Sequence, residues 1–361
     1  MPAAPGGLPA PDNLPAPRDL PAPDGPPAPA PAPGQPPGPG QPPAPVARPA
    51  GMIVPMTPTP LRLVVAVNPG ASAGGRSGRG GKVIDDLRAA GHTVVPLTET
   101  SYDDLVAAAR RELDRERPDA LVVVGGDGMV NLGANLVAGT DVPLGLVPTG
   151  TGNDTARSFG LPHDDSEAAT RLLVRLLEGE PTTIDAGRVL QADGRATWFA
   201  CMVSAGFDAV VNERANRLSW PKGRRRYDVA LAIELVRLPK ISYRLELDGV
   251  VSTVEGTLIS VGNGQSLGGG MKVTPDAVLD DGLLDVLVVE RLTRWQFVRL
   301  FPSVFRGTHL SHPAVTVHQV RRAVIEADGV AAYADGERVG PLPVTVEVVP
   351  GALRVYAALG R

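Results

Sequence analysis

Residues Leu121–Arg157, LVVVGGDGMVNLGANLVAGTDVPLGLVPTGTGNDTAR, contain two mainly apolar runs that each lead into a glycine-rich turn. The run Leu121–Val124 predicts a strand buried on both faces of a parallel sheet, and Met129–Ala138 predicts the helix that follows it. The run Val142–Val147 begins a second unit of the same kind. Because glycine has no β-carbon and helix N-termini favour anions, two such turns at one sheet edge predict a cradle for nucleotide phosphates.

Two more strand–turn–helix units precede this stretch. Leu61–Val67 and Thr93–Leu97 predict strands, and about Gly81–Ala90 predicts the helix between them. A second helix is expected to begin at Ser101, with Asp104 in an acidic variant of the capping box. This alternation predicts a three-layer α/β domain with a mostly parallel sheet, whose ligand lies at the carboxyl ends of the strands.

Simpler phosphate-binding fingerprints do not match. The Walker pattern requires Ser or Thr after its lysine, but Lys82 is followed by Val83. No GxGxxG turn opens a helix after a strand with an acidic residue about twenty positions later, so a Rossmann dinucleotide site is unsupported. Taken alone, Gly125–Gly128 also fits an ordinary tight turn. The presence of several such turns on one sheet edge favours the ligand site.

The pattern changes at about Thr183, where short β-like segments separated by turn residues replace the alternation of strands and helices. They predict a mostly antiparallel, β-rich second domain, either a sandwich or a partial barrel. Two helices, about Tyr227–Arg237 and Arg294–Phe305, interrupt these segments, and Pro302 is expected to kink or split the second helix. The predicted strands are 197–203, 242–247, 253–261, 283–289, 315–317, 323–327 and 344–349.

The beginning of the chain has a different composition from the rest. More than half of the 38 prolines precede Leu61, mixed with Ala and Gly. So few large apolar residues cannot offset the entropy of ordering, and 1–60 is therefore predicted to be a disordered Pro/Ala-rich tail. We expect a nucleotide-binding α/β domain over 61–182 and a β-rich domain over 183–361, whose last strand is free to return to the first domain.

Charge and cysteine content exclude several classes of protein. The formal net charge of −4 argues against nucleic-acid binding, which usually needs a basic surface. The single cysteine, Cys201, excludes an internal disulfide and a cysteine-based zinc site, and its apolar neighbours predict a buried, inert thiol. No stretch approaches the roughly 20 apolar residues of a membrane span, so we expect a soluble, cytoplasmic protein.

The motifs together resemble the catalytic domain of the diacylglycerol/sphingosine kinase family, and more closely its soluble bacterial lipid kinases. The resemblance covers nearly everything after Leu61. It implies an N-terminal nucleotide-binding α/β domain, a C-terminal β-rich domain and an active site in the cleft between them. The matching motifs are GGDG with Asn131 three residues on, the run Pro148–Arg157, the turn Asn68-Pro69, and the downstream Asp280–Gly282 and Asp335–Glu337.

The resemblance implies ATP and Mg²⁺ as cofactors. From chemistry alone, Asp127 would face a metal or hydrogen-bond to loop amides, and a turn-stabilising aspartate is the alternative. The family's magnesium position falls on the Asp281 side chain and the carbonyls of Val278 and Leu283, where a solvated turn is the alternative. The nucleotide contacts implied are Asn68, Pro69, Thr98, Gly126, Asp127, Gly128, Met129, Asn131, Thr151 and Asn153.

Phosphoryl transfer requires a group that takes the proton of the attacking hydroxyl. The resemblance assigns this role to Asp335, with Glu337 assisting, whereas residues 333–339 alone predict only a hairpin with a type I′ turn. Two positions depart from the family pattern, since Met129 replaces the usual Thr and Leu132 replaces a common Glu. Loss of the Thr hydroxyl is expected to weaken nucleotide binding by about 1 kcal/mol.

The acceptor implied by the resemblance is the free hydroxyl of diacylglycerol or a related lipid. The resemblance also implies a role in phospholipid metabolism and an enzyme that is peripheral at the inner membrane face. For docking onto anionic lipid the sequence offers the basic run Arg224–Arg226 beside Trp220, or a helix face formed by Trp295, Val298 and Phe301. A solvated turn and a buried helix face are the alternatives.

Two other functions stay open at this point. One is a kinase of the same superfold that acts on a soluble acceptor such as NAD or a sugar phosphate. The other is a non-catalytic nucleotide- or lipid-binding regulator, favoured if Met129 and Leu132 abolish turnover. A homodimer is compatible with the sequence.

Overall fold

The structure, a computed structural model, describes residues 59–71, 78–218, 220, 229–230, 233–234 and 240–360. The predicted tail lies outside the described residues apart from its last two positions, as do the basic run Arg224–Arg226 and most of the predicted helix at 227–237.

Four neighbouring parallel strands form the first half of the fold, in the order β2–β1–β3–β4. All four lie where the apolar runs predict them, to within two residues at each end. Ser101 caps the second helix by accepting a hydrogen bond from the Asp104 amide, as predicted. The elements are β1 Arg62–Val67, α1 Arg79–Ala89, β2 Thr93–Leu97, α2 Tyr102–Arg115, β3 Ala120–Gly125, α3 Asp127–Val137, β4 Leu144–Pro148, α4 Asp154–Ser158 and α5 Ser166–Leu176.

The second half is mostly antiparallel and β-rich, and helices lie on it, with residues 229–230 and 233–234 helical as well. Short 3₁₀ turns cover Pro69–Ala71 and Thr308–Ser311. The strands are β5 Thr182–Gln191, β6 Ala196–Phe199, β7 Met202–Gly206, β8 Ile241–Leu247, β9 Val250–Gly262, β10 Ser266–Leu267, β11 Met271–Lys272, β12 Leu284–Glu290, β13 Val315–Val320, β14 Arg322–Glu326, β15 Ala331–Ala334, β16 Glu337–Pro341 and β17 Val344–Val355, and the helices are α6 Phe207–Arg217 and α7 Arg294–Val304.

The last strand joins the two halves. β17 pairs with β5 on both sides of an irregularity between Val349 and Leu353 and also pairs with β14, and Val355 pairs in parallel with Leu144 of β4. One 15-stranded sheet therefore runs through the described chain, and β10 and β11 form a separate small hairpin. The end of β17 thus lies beside β4 of the first half.

The parallel strands bury both faces, which produces the three layers. Leu105 of α2 and Leu132 of α3 pack on one face of the sheet with Val64 and Val123. On the other face, α1 and α5 pack against β1, β3 and β4 through Val83, Ile84, Leu87 and Leu173. The α/β class predicted from the alternation of strands and helices is confirmed.

Two further cores lie in the second half. One fills the space between its strands and includes Phe199, Tyr243 and Ile259. The other lies beneath α6 and α7 and includes Phe207 and Phe297. Among the described residues, no helix is both long and apolar enough to cross a bilayer.

Helix α7 continues through Pro302 as a single element, so the predicted split does not occur. Pro302 has no N–H to donate to the Val298 carbonyl, but only two helical residues follow it, so little of the helix depends on the missing bond. At the other end, Thr293 and Gln296 form a reciprocal capping box.

Candidate active site

The glycine turns after β3 and β4 touch each other at the carboxyl edge of the sheet. A β-carbon built on Gly150 would lie 2.5 Å from the Gly126 Cα, closer than any side chain could approach. The two strands also pair directly, with Gly125 opposite Pro148. Glycine is therefore required here, and the floor of the site is bare backbone beside the first turn of α3.

Asn153 shapes the second turn with its side chain. Its φ of 54° is left-handed, and its Oδ1 accepts a hydrogen bond from the Gly150 amide at 3.0 Å. Its Nδ2 donates to the carbonyls of Gly150 and His163, at 3.0 and 2.6 Å. Because this buried amide group is engaged with the backbone, its observed contacts support the turn, whereas the resemblance implied a nucleotide contact.

Asp127 links the two turns. Its Oδ1 accepts hydrogen bonds from the Thr155 amide at 3.0 Å and from the Thr155 hydroxyl at 3.2 Å. The other oxygen, Oδ2, lies 2.9 Å from the point where a β-carbon on Gly152 would stand. Of the interpretations open from the sequence, hydrogen bonding to the loop is what the structure shows for Oδ1.

Asp154 binds a glycine tripeptide of the second half that the sequence analysis missed. Its carboxylate accepts hydrogen bonds from the amides of Gly269 and Gly270, both at 2.7 Å. Burial raises the pKa of this carboxyl, and the two amides oppose that shift. All three glycines, Gly268–Gly270, have positive φ. Three consecutive glycines were the available signal, since only glycine adopts this conformation at little cost.

Asp335 is held by the chain segment between β6 and β7. Its carboxylate accepts hydrogen bonds from the amides of Ala200, Cys201 and Met202 at 2.8, 3.0 and 2.9 Å. These bonds explain why the strand predicted at 197–203 is broken in two. Burial nevertheless raises the pKa of Asp335 to about 6, and the nearby Asp127 charge adds to the shift. Asp335 and Gly336 both have positive φ, as the predicted type I′ turn requires.

Glu337 faces the first glycine turn across the cleft. Its Oε1 lies 2.7 Å from the position of a β-carbon built on Gly128. Although Glu337 is solvent-accessible, partial desolvation in the cleft raises the pKa of its carboxyl. Tyr102, at the start of α2, lies beside the same point, with its hydroxyl 3.5 Å from the Gly128 carbonyl oxygen. Partial burial, and then the Glu337 charge, raise the Tyr102 pKa to about 12.

Two asparagines of α3 tie the halves together behind the cleft. The Asn131 Nδ2 donates to the carbonyls of Trp198 and Ala334, at 3.2 and 3.4 Å. Asn135 accepts from the Trp198 amide at 2.8 Å and donates to its carbonyl at 2.9 Å. The predicted nucleotide residue Asn131 thus has the observed role of fixing the residue before Asp335.

Met129 and Leu132 lie in the core. Both are almost completely buried, at 1% and 3% exposure. The Met129 Cγ lies 2.2 Å from where a β-carbon on Gly125 would stand, so the side chain covers this glycine. The nucleotide contact of Met129 stays a prediction, and the structure shows its side chain filling the space above Gly125.

The remaining predicted nucleotide residues stand at the rim. Asn68 follows β1 and accepts the Gly70 amide on Oδ1 at 2.8 Å, and Pro69 begins the 3₁₀ turn after it. Thr98 follows β2, and Thr151 lies in the turn after β4; both are exposed. The four strand ends thus bring these residues to the same edge as the glycine turns.

The predicted magnesium turn is fastened to the body of the protein by Asp185. This buried carboxylate accepts hydrogen bonds from the amides of Gly282 and Gly351, at 2.6 and 2.8 Å. Asp281 is exposed, and its Oδ1 accepts the Leu283 amide at 2.9 Å. Within the described ranges, no three His, Cys, Asp or Glu side chains converge as a metal site. A magnesium ion here would therefore depend on backbone carbonyls.

Cys201 is the buried thiol that its apolar neighbours predict. It is 3% exposed, and burial, followed by the Asp335 charge, raises its pKa well above the usual value. A protonated thiol in this setting is a poor nucleophile.

The α/β half carries the two glycine turns, and the β-rich half carries the hairpin with Asp335 and Glu337. These two parts face each other, which is the arrangement of a two-lobed phosphotransferase. The sequence model of the diacylglycerol kinase catalytic domain matches residues 62–189, and that of the YegS C-terminal NAD kinase beta sandwich-like domain matches residues 201–357. The chain belongs to the diacylglycerol kinase family, as the motifs indicated, and is a kinase of this superfold.

Individual relatives agree with this assignment. The chain is 43% identical over 238 residues to a diacylglycerol kinase of Mycobacterium tuberculosis (strain H37Rv), covering 66% of this chain and 76% of the relative. It is 28% identical over 277 residues to a diacylglycerol kinase of Staphylococcus aureus (strain Newman), covering 75% and 84%. A crystal structure of a diacylglycerol kinase from Bacillus anthracis shares the fold, with a TM-score of 0.60, 20% identity and coverage of 83% and 98%.

Proposed function

We propose that this kinase transfers the γ-phosphoryl group of ATP to the free hydroxyl of diacylglycerol or a related lipid. The observation that carries the proposal is the position of Glu337, whose carboxylate faces Gly128 in the glycine turn from the opposite side of the cleft. The names of the Mycobacterium and Staphylococcus relatives support diacylglycerol as the acceptor.

The glycine turns supply the phosphate-binding surface in this proposal. The backbone at Gly126 and Gly150 leaves no room for side chains, and the first turn of α3 directs its free amides towards the same place. Asn68, Thr98 and Thr151 stand at the rim, where side-chain oxygens can contact the nucleotide. We therefore propose that ATP binds over β3 and β4, with its γ-phosphate towards Glu337.

Glu337 is the better placed proton acceptor of the two acidic residues in the hairpin. Both carboxylate oxygens of Asp335 already accept hydrogen bonds from backbone amides. We therefore assign Asp335 to positioning the hairpin and Glu337 to catalysis, although the resemblance favours Asp335 as the base. The lipid hydroxyl oxygen attacks the γ-phosphorus, its proton passes to Glu337, and the bond from phosphorus to the β–γ bridging oxygen breaks to release ADP.

Magnesium fits the oxygen donors of the turn at Asp281, which offers one carboxylate and the carbonyls of Val278 and Leu283. We propose that Mg²⁺ bound there would stabilise the turn that Asp185 fastens. Mg²⁺ bound to ATP would neutralise the negative charge of the phosphates. The acidic side chains of the cleft cannot do so, because they are negative themselves.

The test is phosphoryl transfer from radiolabelled ATP by the purified full chain. Diacylglycerol in neutral detergent micelles should yield labelled lipid, while micelles without lipid should not. Glu337→Gln should lower the rate about 10²–10⁴-fold, and the exposed Glu255→Gln on β9 should match the wild type. Label transferred to NAD without lipid would support a soluble acceptor instead. Nucleotide binding without transfer to any acceptor would indicate a regulator.

A further inference from the structure

Helix α7 presents an apolar face to solvent. Trp295 is 85% exposed, Val298 46% and Phe305, just after the helix, 44%. Pro302 is exposed between them, and the spacing of these residues places them on one side of the helix. Phe301, which the sequence analysis placed on this face, is instead half-buried between Phe297 and Phe305, with ring centroids 5.8 and 5.9 Å away.

Unpaired arginines flank this face. Arg294, Arg299 and Arg306 are all exposed, and α7 contains no acidic residue. None of the three forms an ion pair with an acidic side chain in the part of the chain that the structure describes. The helix thus concentrates positive charge beside aromatic and aliphatic side chains, in a protein whose formal net charge is −4.

The other side of α7 packs against the core beneath α6 and β7. Phe297 packs against Phe207, with ring centroids 4.7 Å apart. Both belong to the core that includes Met202 of β7, and the Met202 amide donates to the Asp335 carboxylate. Whatever binds the outer face of α7 is therefore held at a fixed position relative to the hairpin that carries Glu337.

We propose that the outer face of α7 docks onto an anionic lipid bilayer. An interfacial helix combines aromatic and aliphatic residues that enter the membrane with arginines that contact anionic headgroups, and Trp is favoured at that depth. A symmetric dimer formed through this face would place the three unpaired arginines of one copy against the same three of the other. Repulsion between these like charges disfavours a second copy of the chain as the partner. The docking itself needs no catalysis, and only its purpose, delivery of a lipid acceptor, rests on the proposed function.

Co-sedimentation of the full chain with vesicles tests the proposal without ATP or turnover. Binding should be strong to vesicles of phosphatidylcholine with phosphatidylglycerol and weak to phosphatidylcholine alone. Trp295→Ala/Val298→Ala should weaken binding on the order of tenfold or more. The matched control is Val250→Ala/Val251→Ala, which removes exposed apolar side chains (71% and 52%) from the start of β9.

Charge is tested separately. Arg299→Gln/Arg306→Gln should weaken binding to anionic vesicles by about fivefold per arginine, whereas Arg110→Gln/Arg111→Gln on α2 should have little effect. Trp295 fluorescence should shift to shorter wavelength on binding, and Trp295→Phe should abolish the shift.

Three results would overturn the proposal. They are absence of binding to anionic vesicles, equal loss in the Val250/Val251 control, and concentration-dependent dimerisation that Trp295→Ala abolishes. A kinase that binds vesicles but phosphorylates no lipid would refute the proposed function and leave the docking surface standing.

Discussion

Gly128 and Glu337 meet across the cleft, since Glu337 Oε1 occupies the space that a β-carbon on residue 128 would need, 2.7 Å from it. The glycine turn and the Glu337 carboxylate are therefore fitted to each other. The contact is made by the end of a flexible side chain, so a larger residue at 128 displaces the carboxylate before it disturbs the backbone.

Gly128→Ala should consequently separate activity from stability. We expect kcat to fall about 10- to 100-fold because small displacements of a catalytic group are costly, with little change in Tm. Gly179→Ala is the control, because a β-carbon there meets nothing closer than 3.7 Å. Equal activity of the two variants would show that Glu337 is not constrained by this turn.

Asp335 and Glu337 should respond differently to amide substitution. Glu337→Gln should abolish most activity at unchanged urea midpoint. In Asp335→Asn, an NH₂ group replaces one carboxylate oxygen and faces backbone N–H donors without accepting from them. The substitution should therefore cost about 1–3 kcal/mol of stability for each donor left unpaired. Activity and urea denaturation are measured on both proteins. An active Glu337→Gln together with a stable, inactive Asp335→Asn would reverse the assignment.

Tyr102 should control the pH at which activity begins. Loss of its ring admits water beside Glu337, whose pKa is raised by desolvation. Tyr102→Ala should therefore move the acid limb of the kcat profile to lower pH. Tyr102→Phe keeps the ring and should leave the limb in place, because a 3.5 Å contact is long for a hydroxyl hydrogen bond. Identical profiles for the wild type and both variants would contradict this role.

Asp335 should make stability depend on pH in a defined direction. Its folded pKa, about 6, lies above the ordinary value of 3.8, so the folded state favours the protonated form. Its contribution is fully present below about pH 4 and is lost as the pH rises through about 6. The free-energy difference between wild type and Asp335→Asn should thus shrink by about 2–3 kcal/mol over that interval. A difference independent of pH would show that folding does not raise the pKa of Asp335.

Met129→Thr restores the residue usual in the family but should not improve the enzyme. The Met129 side chain lies in the core at 1% exposure, so shortening it leaves a cavity that should cost about 2–4 kcal/mol. Nucleotide affinity, measured by isothermal titration, should not increase, because the side chain does not reach the rim. A tighter complex with unchanged Tm would mean that residue 129 does face the phosphates.

Local sequence patterns were sufficient for the four parallel strands, the turns that follow them and the family. The apolar runs ending at Val67, Leu97, Val124 and Val147 each became a strand of the parallel sheet, because buried strands and their glycine turns leave a short-range signal. The Asp335–Gly336 turn was also predictable, since its left-handed conformation suits those residue types.

The contacts that define the site could not be predicted in this way. Asp335 meets the amides at 200–202 across about 135 residues of sequence, and Asp154 meets Gly269 across 115. No periodicity encodes such pairs. The direction of Met129 and the inward turn of Phe301 also depend on neighbouring elements, because both side chains are placed by packing against residues whose position the fold decides.

The strand Val344–Val355 has a consequence for synthesis. Since β17 is the last strand of the sheet in chain order and pairs with β4, β5 and β14, neither half can complete its hydrogen bonding before β17 has been synthesised. The nascent protein must keep open strand edges until that strand emerges from the ribosome, a period in which such edges favour aggregation. The parallel sheet that carries the glycine turns and the β-rich second half are therefore completed together, when β17 pairs with both.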